Sequence, residues 1–402
     1  MRATAFIASA GLIAINLLIA CSHIPTTPLL NADRFAPIDA AIDSAVARGQ
    51  MPGAVYWLER VSSQNSASHQ KAHGRHTFDA DADAIQLDTV FDAASLTKVI
   101  ATAPSVMLLI EAGTLGIDSL LVKYFPECSG GGKDAITLRH LLTHTAGLGY
   151  FFIHPEVLGW YSATGMPEPG SLASIRMPLM FDPGESWEYS VATDWVGQAV
   201  EAVTGQTLGD YLAEHVTGPL GMTATAFRAE MPADEAKVHV RAADGSGWEI
   251  NPAVLGGGEF HMGGGGLSST AADYARFVRM LLRGGELDGV RVLREETIAE
   301  MSRNQVGPLR AGKMGSAMPE LAGPYDTFPD QHTGWGLGFL INPEPGPHGR
   351  SPGSLAWAGI FNSYYWFDPV KGLGGVFMSQ LAPFGDAGAL AAFGALEELA
   401  YG

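Results

Sequence analysis

Apolar residues recur at helical spacing in several parts of the chain. Between Arg34 and Arg48 they return every three or four positions and stop at Gly49, a pattern that predicts an amphipathic helix. The same spacing recurs further along the chain. It predicts helices over 95–112, 137–143, 193–204, 207–216, 271–283, 295–302 and 386–400.

Other segments have the apolar character of buried strands. Gly53–Val61 is the first, and four more follow late in the chain between Pro or Gly residues: Gly334–Ile341, Leu355–Ile360, Ser363–Phe367 and Gly374–Ser379. Because strands lie near both ends with helices between them, we expect one sheet built from both terminal parts and a helical insertion. We therefore divide a single domain, residues 34–402, into an α/β part (about 34–94 and 330–402) and a helical part (about 95–329).

The first 33 residues have a different character. Residues 3–20 form a long apolar stretch that follows Arg2 and ends at Cys21, as is typical of a secretory signal. Leu18-Ile19-Ala20-Cys21 resembles the lipobox of bacterial lipoproteins. We expect a signal peptide over 1–20, a lipid at Cys21, a tether over 21–33, and an exported protein of the periplasm or outer membrane. An ordinary cleaved signal or an uncleaved helix is the alternative.

Composition excludes some classes of protein. With 24 Lys or Arg against 42 Asp or Glu, the net charge of −18 argues against a nucleic-acid partner, which needs a basic face. The 8 Trp, 18 Phe and 11 Tyr rule out wholesale disorder. If Cys21 carries a lipid, Cys128 has no partner for an intramolecular disulfide.

A cluster of histidines has a spacing that suggests metal ligands. His69, His73 and His76 lie in a polar stretch after the first predicted strand. On a strand, positions 69 and 73 share a face and 76 points the other way, so we expect a solvated hairpin and no metal. Nothing elsewhere in the sequence fits a zinc or nucleotide site, and we expect no cofactor.

The start of one predicted helix can carry covalent chemistry. Ser95 lies where residues 95–112 begin, and Lys98 follows one turn later, so the two side chains are neighbours in an S-x-x-K motif. A serine hydroxyl needs a base to become a nucleophile, and a desolvated lysine can serve as one. The alternative is an N-terminal cap followed by a surface charge.

Two further segments support the catalytic interpretation. Tyr189 follows an Asp-Pro-Gly turn just before a predicted helix, and it is a second candidate for proton transfer. Trp357-Ala358-Gly359-Ile360 lies in a late strand, where Gly359 leaves room for a substrate backbone. The Ile360 N–H can donate to an oxyanion beside that of Ser95.

These three elements, in this order, resemble the serine β-lactamase and penicillin-binding superfamily, and above all the class C β-lactamases and family VIII carboxylesterases. The resemblance covers roughly residues 35–400. Further stretches that carry it are Leu141–Leu148, Asp182–Gly184, Gly263–Leu267, Tyr274–Phe277, Gly284–Val290 and Gly334–Phe339.

The resemblance implies a fold and a set of roles. The fold is α/β, with an antiparallel sheet flanked by helices, a helical sub-domain, and the active site between them. Ser95 is the acylated nucleophile, Lys98 and Tyr189 are the base and acid pair, and the Ser95 and Ile360 N–H groups form the oxyanion hole. We expect Lys98 to lower the pKa of Tyr189, so that Tyr189 takes the Ser95 proton.

Two departures from the β-lactamase pattern bear on the substrate. Val191 stands where those enzymes carry an Asn that binds the substrate amide, and Trp357 stands where they carry a Lys that faces a carboxylate. We assign Trp357 and Gly359 to substrate binding, and both changes favour neutral esters. A loop cation, Arg350, is the residue that can replace the missing Lys.

A second serine fits another motif. Gly349-Arg350-Ser351-Pro352-Gly353 matches G-x-S-x-G, which requires a strand before the serine and a helix after it. Several prolines surround Ser351, so we expect a loop. We expect His144, at the end of a predicted helix, to be structural.

The sequence therefore predicts an exported serine hydrolase that cleaves short to medium acyl esters, with a small-molecule ester as its partner. A D-amino-acid peptidase or weak β-lactamase is the first alternative, which the missing Asn and Lys disfavour. An acyl-trapping penicillin-binding protein that does not turn over is the second. The oligomeric state and the natural ester stay open.

Overall fold

A computed structural model describes residues 30–62, 65–227, 235–242, 247–251 and 258–402. The expected signal peptide, Cys21 and the tether up to residue 29 lie outside the described residues. The expected boundaries between leader, tether and domain therefore stay predictions.

The described residues form the following strands and helices. The strands are β1 Gly53–Val61, β2 Ser66–Gly74, β3 Phe91–Asp92, β4 Ala226–Phe227, β5 His239–Arg241, β6 Trp248–Ile250, β7 Leu267–Ser269, β8 Glu286–Leu287, β9 Val290–Arg291, β10 Lys313–Met314, β11 Tyr325–Asp326, β12 Gly334–Trp335, β13 Leu340–Ile341, β14 Leu355–Gly359, β15 Ser363–Asp368, β16 Leu373–Met378 and β17 Leu381–Ala382. The α-helices are α1 Phe35–Ala47, α2 Ala103–Glu111, α3 Leu138–Leu142, α4 Pro155–Ala163, α5 Leu172–Ile175, α6 Ala192–Thr204, α7 Leu208–Leu212, α8 Ala271–Leu282, α9 Glu295–Met301 and α10 Ala387–Tyr401.

The largest sheet joins strands from both ends of the chain. Its seven strands run in the order β12-β13-β14-β15-β16-β1-β2. Every neighbouring pair is antiparallel, and β1 pairs with β16 from Val55↔Met378 to Arg60↔Leu373. The expected antiparallel sheet built from both terminal parts, with helices around it, is confirmed.

Alternating residues of the sheet face different helices. A Cβ on Gly374 would lie 2.9 Å from Val278 of α8, whereas a Cβ on the next residue, Gly375, would meet the Trp366 ring. The Trp366 ring in turn contacts Phe393 of α10. Helix α8 therefore covers one face of the sheet, while α10, with α1 packed beside it, covers the other.

The predicted helix over 95–112 is built in three pieces. A 3₁₀ turn at Ala94–Leu96 precedes a π-helical segment at Lys98–Thr102 and then α2. Pro104 has no N–H to donate to the Ile100 carbonyl, and its ring would meet that carbonyl in a regular helix, which accounts for the wider turn before it. The stretch Ala94–Glu111 is long and apolar enough to cross a bilayer, but 78% of it is buried, so it is a core helix here.

Other differences from the predicted elements have local causes. The expected strand Gly334–Ile341 is broken into β12 and β13, because the Leu337 N–H bonds the Met301 carbonyl and Gly338 has a φ of 102°. Helix α4 was not predicted. Only Val157 and Tyr161 of α4 are buried, too few to give a periodic pattern.

The histidine hairpin is only partly solvated. Strand β2 pairs with β1, as expected, but His73 is buried and its Nδ1 lies 2.8 Å from Asp43 of α1. The His69 ring stacks on Phe35 at 3.8 Å. The expectation of a solvated hairpin was therefore wrong at His73, because α1 covers one side of the hairpin. Among the described residues, no group of His, Cys, Asp and Glu is arranged to hold a metal.

Candidate active site

Ser95 lies on a constrained turn between β3 and the π-helical segment. Ala94, just before it, has a φ of 44°, in the left-handed region that costs a non-glycine residue about 1–3 kcal/mol. The buried Asp92 carboxylate accepts the Ala94 N–H at 2.7 Å and holds this conformation. The Tyr274 hydroxyl of α8 donates to the Leu96 carbonyl, so the turn is fixed on both sides of Ser95.

The 3₁₀ turn brings Lys98 directly to Ser95. The Lys98 Nζ donates to the Ser95 Oγ at 3.1 Å, to the Tyr150 Oη at 2.9 Å, and to the Gly264 carbonyl at 2.7 Å. Lys98 is only 2% exposed. Burial lowers the pKa of Lys98 to about 7, against a smaller opposing effect of the Asp194 charge. Near neutral pH the amine is therefore populated in its neutral, proton-accepting form.

Tyr189 reaches the same serine from the other side. Tyr189 lines the same pocket as Ser95, and the Trp357 Nε1 donates to the Tyr189 Oη at 2.9 Å. Burial raises the pKa of Tyr189 above its usual value, and the nearby Ser95 and Trp357 side chains offset this only in part. The expected lowering of the Tyr189 pKa by Lys98 was therefore wrong, because desolvation of the phenolate is the larger effect. Tyr189 is a neutral phenol, suited to donate a proton.

Trp357 supports Tyr189 and also lines the pocket at Ser95. Besides its hydrogen bond to Tyr189, the Trp357 indole packs edge-on against Trp335 at 4.6 Å between ring centroids, and it is 6% exposed. Gly359 lines the site, but a Cβ there would lie 2.9 Å from the Ala93 carbonyl. The missing side chain of Gly359 therefore makes room for the nucleophile turn, and the expectation that it also leaves room for a substrate backbone stays a prediction.

Two chambers meet at Ser95, Phe152 and Ile360. The first, which we term the narrow chamber, has a volume of about 360 Å³, and the second, the wide chamber, about 1020 Å³, both open to solvent. Besides the shared residues, the narrow chamber is lined by Ile153, Tyr189, Met314, Gly315, Ala322, Gly323, Trp357, Ala358, Gly359 and Phe384. The wide chamber is lined by Ala94, Tyr150, Phe151, Tyr161, Pro169, Gly170, Ser174, Val191, Asp194, Asn251, Met262, Gly264, Gly265, Leu321 and Phe361.

This arrangement has counterparts among known proteins. A family model described as Beta-lactamase matches residues 38–399, most of the chain. The chain belongs to the beta-lactamase family. The resemblance to serine β-lactamases and penicillin-binding proteins is thereby confirmed.

Relatives of this beta-lactamase family chain include esterases and acyltransferases. It is similar to a lovastatin esterase of Penicillium rubens, at 29% identity over 84% of this chain and 91% of the relative. It is also similar to a monacolin J acid methylbutanoyltransferase of Aspergillus terreus, at 31% identity over 88% and 92%. Among solved structures, a simvastatin synthase mutant from Aspergillus terreus superposes with a TM-score of 0.76 and 28% identity, covering 93% of this chain and 98% of that one. Members of the family thus act as acyl hydrolases and acyltransferases.

In this family member, residues 349–353 are not part of the site. Ser351 lies in a loop, and its N–H donates to Asp368 at 2.8 Å. Arg350 is buried and donates to both oxygens of Glu397 on α10, at 2.6 and 2.8 Å. Arg350 therefore cannot take the place of the missing Lys.

His144 packs against the site without touching Ser95. Its ring lies 4.7 Å from the Tyr189 ring, and its Nδ1 is 3.2 Å from the Ser190 Oγ. Burial and the nearby Lys98 charge hold the pKa of His144 well below its usual value, so the ring is neutral. These contacts fit the structural role that we expected for it.

Tyr150, Asp194 and Gly264 were not predicted from the sequence as functional residues. Tyr150 comes two residues after the Leu141–Leu148 stretch, and Gly264 lies in the Gly263–Gly266 run. Both stretches carry the family resemblance, so they were the available signals. Nothing in the local pattern shows that these residues meet Lys98, because the contacts join positions 52 and 166 residues apart.

Proposed function

We propose that this chain is a carboxylesterase of the family VIII type, which cleaves short to medium acyl esters through an acyl-Ser95 intermediate. The observation that carries the proposal is the buried Lys98 Nζ, 3.1 Å from the Ser95 Oγ. With its pKa at about 7, this amine is a base matched to neutral pH.

The proposed reaction has two halves. Neutral Lys98 takes the Ser95 proton while the Ser95 Oγ attacks the ester carbonyl carbon, and the Ser95 and Ile360 N–H groups bind the oxyanion. The carbon–oxygen bond to the alcohol then breaks, and Tyr189 donates its proton to the leaving oxygen. Lys98 returns its proton to Tyr189. In deacylation, water replaces the alcohol and the same groups move protons in the reverse sense.

The lining of the two chambers favours neutral substrates. Among the described residues that line them, there is no Lys or Arg to bind a substrate carboxylate, and Asp194 lines the wide chamber. Val191, which stands where the β-lactamases carry their amide-binding Asn, lies in the wide chamber, and the Asn of this chamber, Asn251, comes from a different part of the chain. These features support esters over β-lactams and peptides.

A second candidate is acyl transfer to an alcohol other than water. The wide chamber opens directly onto Ser95 and is lined mainly by apolar side chains, which suits an organic alcohol. The methylbutanoyltransferase relative supports this alternative. To distinguish transfer from hydrolysis, the protein is given an ester together with an acceptor alcohol, and both products are measured. Faster formation of the new ester than of the free acid indicates acyl transfer.

A panel of p-nitrophenyl esters of graded chain length tests the proposal. It is run beside a chromogenic cephalosporin, with Ser95→Ala as the blank. We expect many turnovers of the butyrate ester and far slower reaction of the cephalosporin. A burst of one equivalent without further turnover would indicate an acyl-trapping protein, and equal rates on both substrates would contradict the substrate assignment.

Trp357→Phe is expected to lower kcat for ester hydrolysis about 2- to 10-fold, since it removes one hydrogen bond to Tyr189 worth about 0.5–1.5 kcal/mol. Trp357→Lys is expected to weaken ester hydrolysis and to improve acylation by carboxylate-bearing substrates. Trp366→Phe is the matched control, because the Trp366 Nε1 also donates to a tyrosine, Tyr401, on the opposite face of the sheet. Unchanged ester kinetics in Trp357→Phe would refute this role.

We further propose that the protein is exported and anchored by a lipid on Cys21, on the strength of the apolar stretch that ends at Leu18-Ile19-Ala20-Cys21. Palmitate labelling is expected for the parent and for Cys128→Ala, but not for Cys21→Ala. Cys128 is a buried free thiol and serves as the control cysteine. Recovery of the unlabelled parent in the soluble fraction would contradict the proposal.

A further inference from the structure

A buried carboxylate near Lys98 has no part in the reaction just proposed. Asp194 lies in the first turn of α6 and is 1% exposed. Its Oδ1 accepts the Gly264 N–H at 2.7 Å, and the carbonyl of the same residue accepts from the Lys98 Nζ at 2.7 Å. Gly264 therefore links the Asp194 carboxylate to the Lys98 amine, through its own N–H and carbonyl groups.

The glycine run is held tightly in this position. A Cβ on Gly264 would lie 2.9 Å from the Tyr150 Oη, 3.1 Å from the Asp194 Oδ1 and 3.2 Å from the Lys98 Nζ. A Cβ on Gly263 would lie 2.3 Å from the Thr193 carbonyl, and the Thr102 hydroxyl donates to the Gly263 carbonyl. The run is thus packed between the start of α6 and the helix that carries Lys98.

The other ionisable groups around Lys98 are neutral. Burial raises the pKa values of Tyr150 and Tyr189, and it lowers that of His144. Asp194 is the group whose negative charge opposes the effect of burial on Lys98. Burial raises the pKa of Asp194 itself to about 6, so the carboxylate is ionised at neutral pH.

We infer that Asp194 is a positioning residue, which fixes the Lys98 amine beside Ser95 through Gly264 and supplies the negative charge closest to that amine. The inference rests on the proposed role of Lys98 as the base. Two effects of the Asp194 carboxylate can be tested separately: its negative charge and its hydrogen bond from the Gly264 N–H. Asp194→Asn removes the charge and keeps an oxygen for the Gly264 N–H, whereas Asp194→Ala removes both.

The pH dependence of kcat/KM for p-nitrophenyl butyrate tests the charge. In the parent we expect activity to rise with pH through about 7, as Lys98 loses its proton. Without the neighbouring anion, the ammonium form is less stable. Asp194→Asn is therefore expected to move this rise about one to three pH units lower. Asp194→Ala should show the same shift with a lower kcat at the plateau, because the Gly264 peptide is no longer held.

Asp368→Asn is the matched control. Asp368 is also buried and accepts a backbone N–H at 2.8 Å, from Ser351, outside the site. We expect its pH profile to match that of the parent. An unshifted profile in Asp194→Asn, or an equal shift in Asp368→Asn, would overturn the inference.

A measurement on the parent alone keeps the inference testable if Asp194→Asn does not fold. The ¹⁵N NMR signal of the Lys98 Nζ, assigned with Lys98→Arg, should titrate near neutral pH and also respond to a second group titrating near pH 6. A single transition near the usual lysine pKa would overturn the inference. If the parent hydrolyses no ester, the proposed function fails, while this titration still decides the role of Asp194.

Discussion

Ser95→Ala is expected to abolish ester hydrolysis, with a loss of roughly four to six orders of magnitude in kcat. The Ser95 Oγ is the nucleophile in the proposed reaction, and the Lys98 Nζ is 3.1 Å away to activate it. The other hydroxyl that the Lys98 Nζ contacts belongs to Tyr150, a buried phenol whose pKa is raised by burial. Initial rates on p-nitrophenyl butyrate measure the effect.

Ser351→Ala is the control for this substitution. Ser351 belongs to the G-x-S-x-G sequence, but it lies in a loop whose backbone is held by Asp368. We expect near-parental activity. If Ser351→Ala is inactive while Ser95→Ala retains turnover, the assignment of the nucleophile is wrong.

Tyr189→Phe is expected to lower kcat roughly 10²- to 10⁴-fold, the range for loss of a positioned general acid or base. The substitution removes one oxygen and leaves the ring packed against Trp357 at 4.9 Å, so the fold should persist. Stopped-flow rates on esters with alcohols of graded acidity measure the effect. The loss should shrink as the leaving alcohol becomes more acidic, because such an alcohol needs less help from a proton donor.

Tyr365→Phe provides a close comparison. Tyr365 is fully buried near Tyr189, and its hydroxyl has no hydrogen-bond partner among the described residues. We expect parental kinetics from Tyr365→Phe. If Tyr189→Phe keeps parental kinetics on esters of weakly acidic alcohols, Tyr189 is not the proton donor.

Much of the fold could be predicted because its signals are local. The apolar pattern of Gly53–Val61 matches β1 residue for residue, and the strands near the end of the chain lie where Pro and Gly separate them. The S-x-x-K spacing placed Lys98 beside Ser95, since a single turn determines that contact. Helix α4 and the break between β12 and β13 were missed, because packing from distant segments determines them.

The electrostatics of the site could not be predicted from spacing. The pKa of Tyr189 depends on how completely it is buried, which no motif encodes, and the expected direction was wrong. The sequence offers Arg350 as a loop cation for the site, whereas the fold pairs it with Glu397, 47 residues away. Such pairings follow from the closed fold and leave no trace in local sequence patterns.

Trapping the acyl-enzyme tests the central claim most directly. The protein is mixed with excess p-nitrophenyl butyrate, quenched in acid within the first turnovers, digested and analysed by mass spectrometry. We expect one butyryl group on the peptide that contains Ser95, and no modification in Ser95→Ala. A butyryl group on the Ser351 peptide, or rapid turnover with no covalent adduct in the parent, would contradict the acyl-Ser95 mechanism.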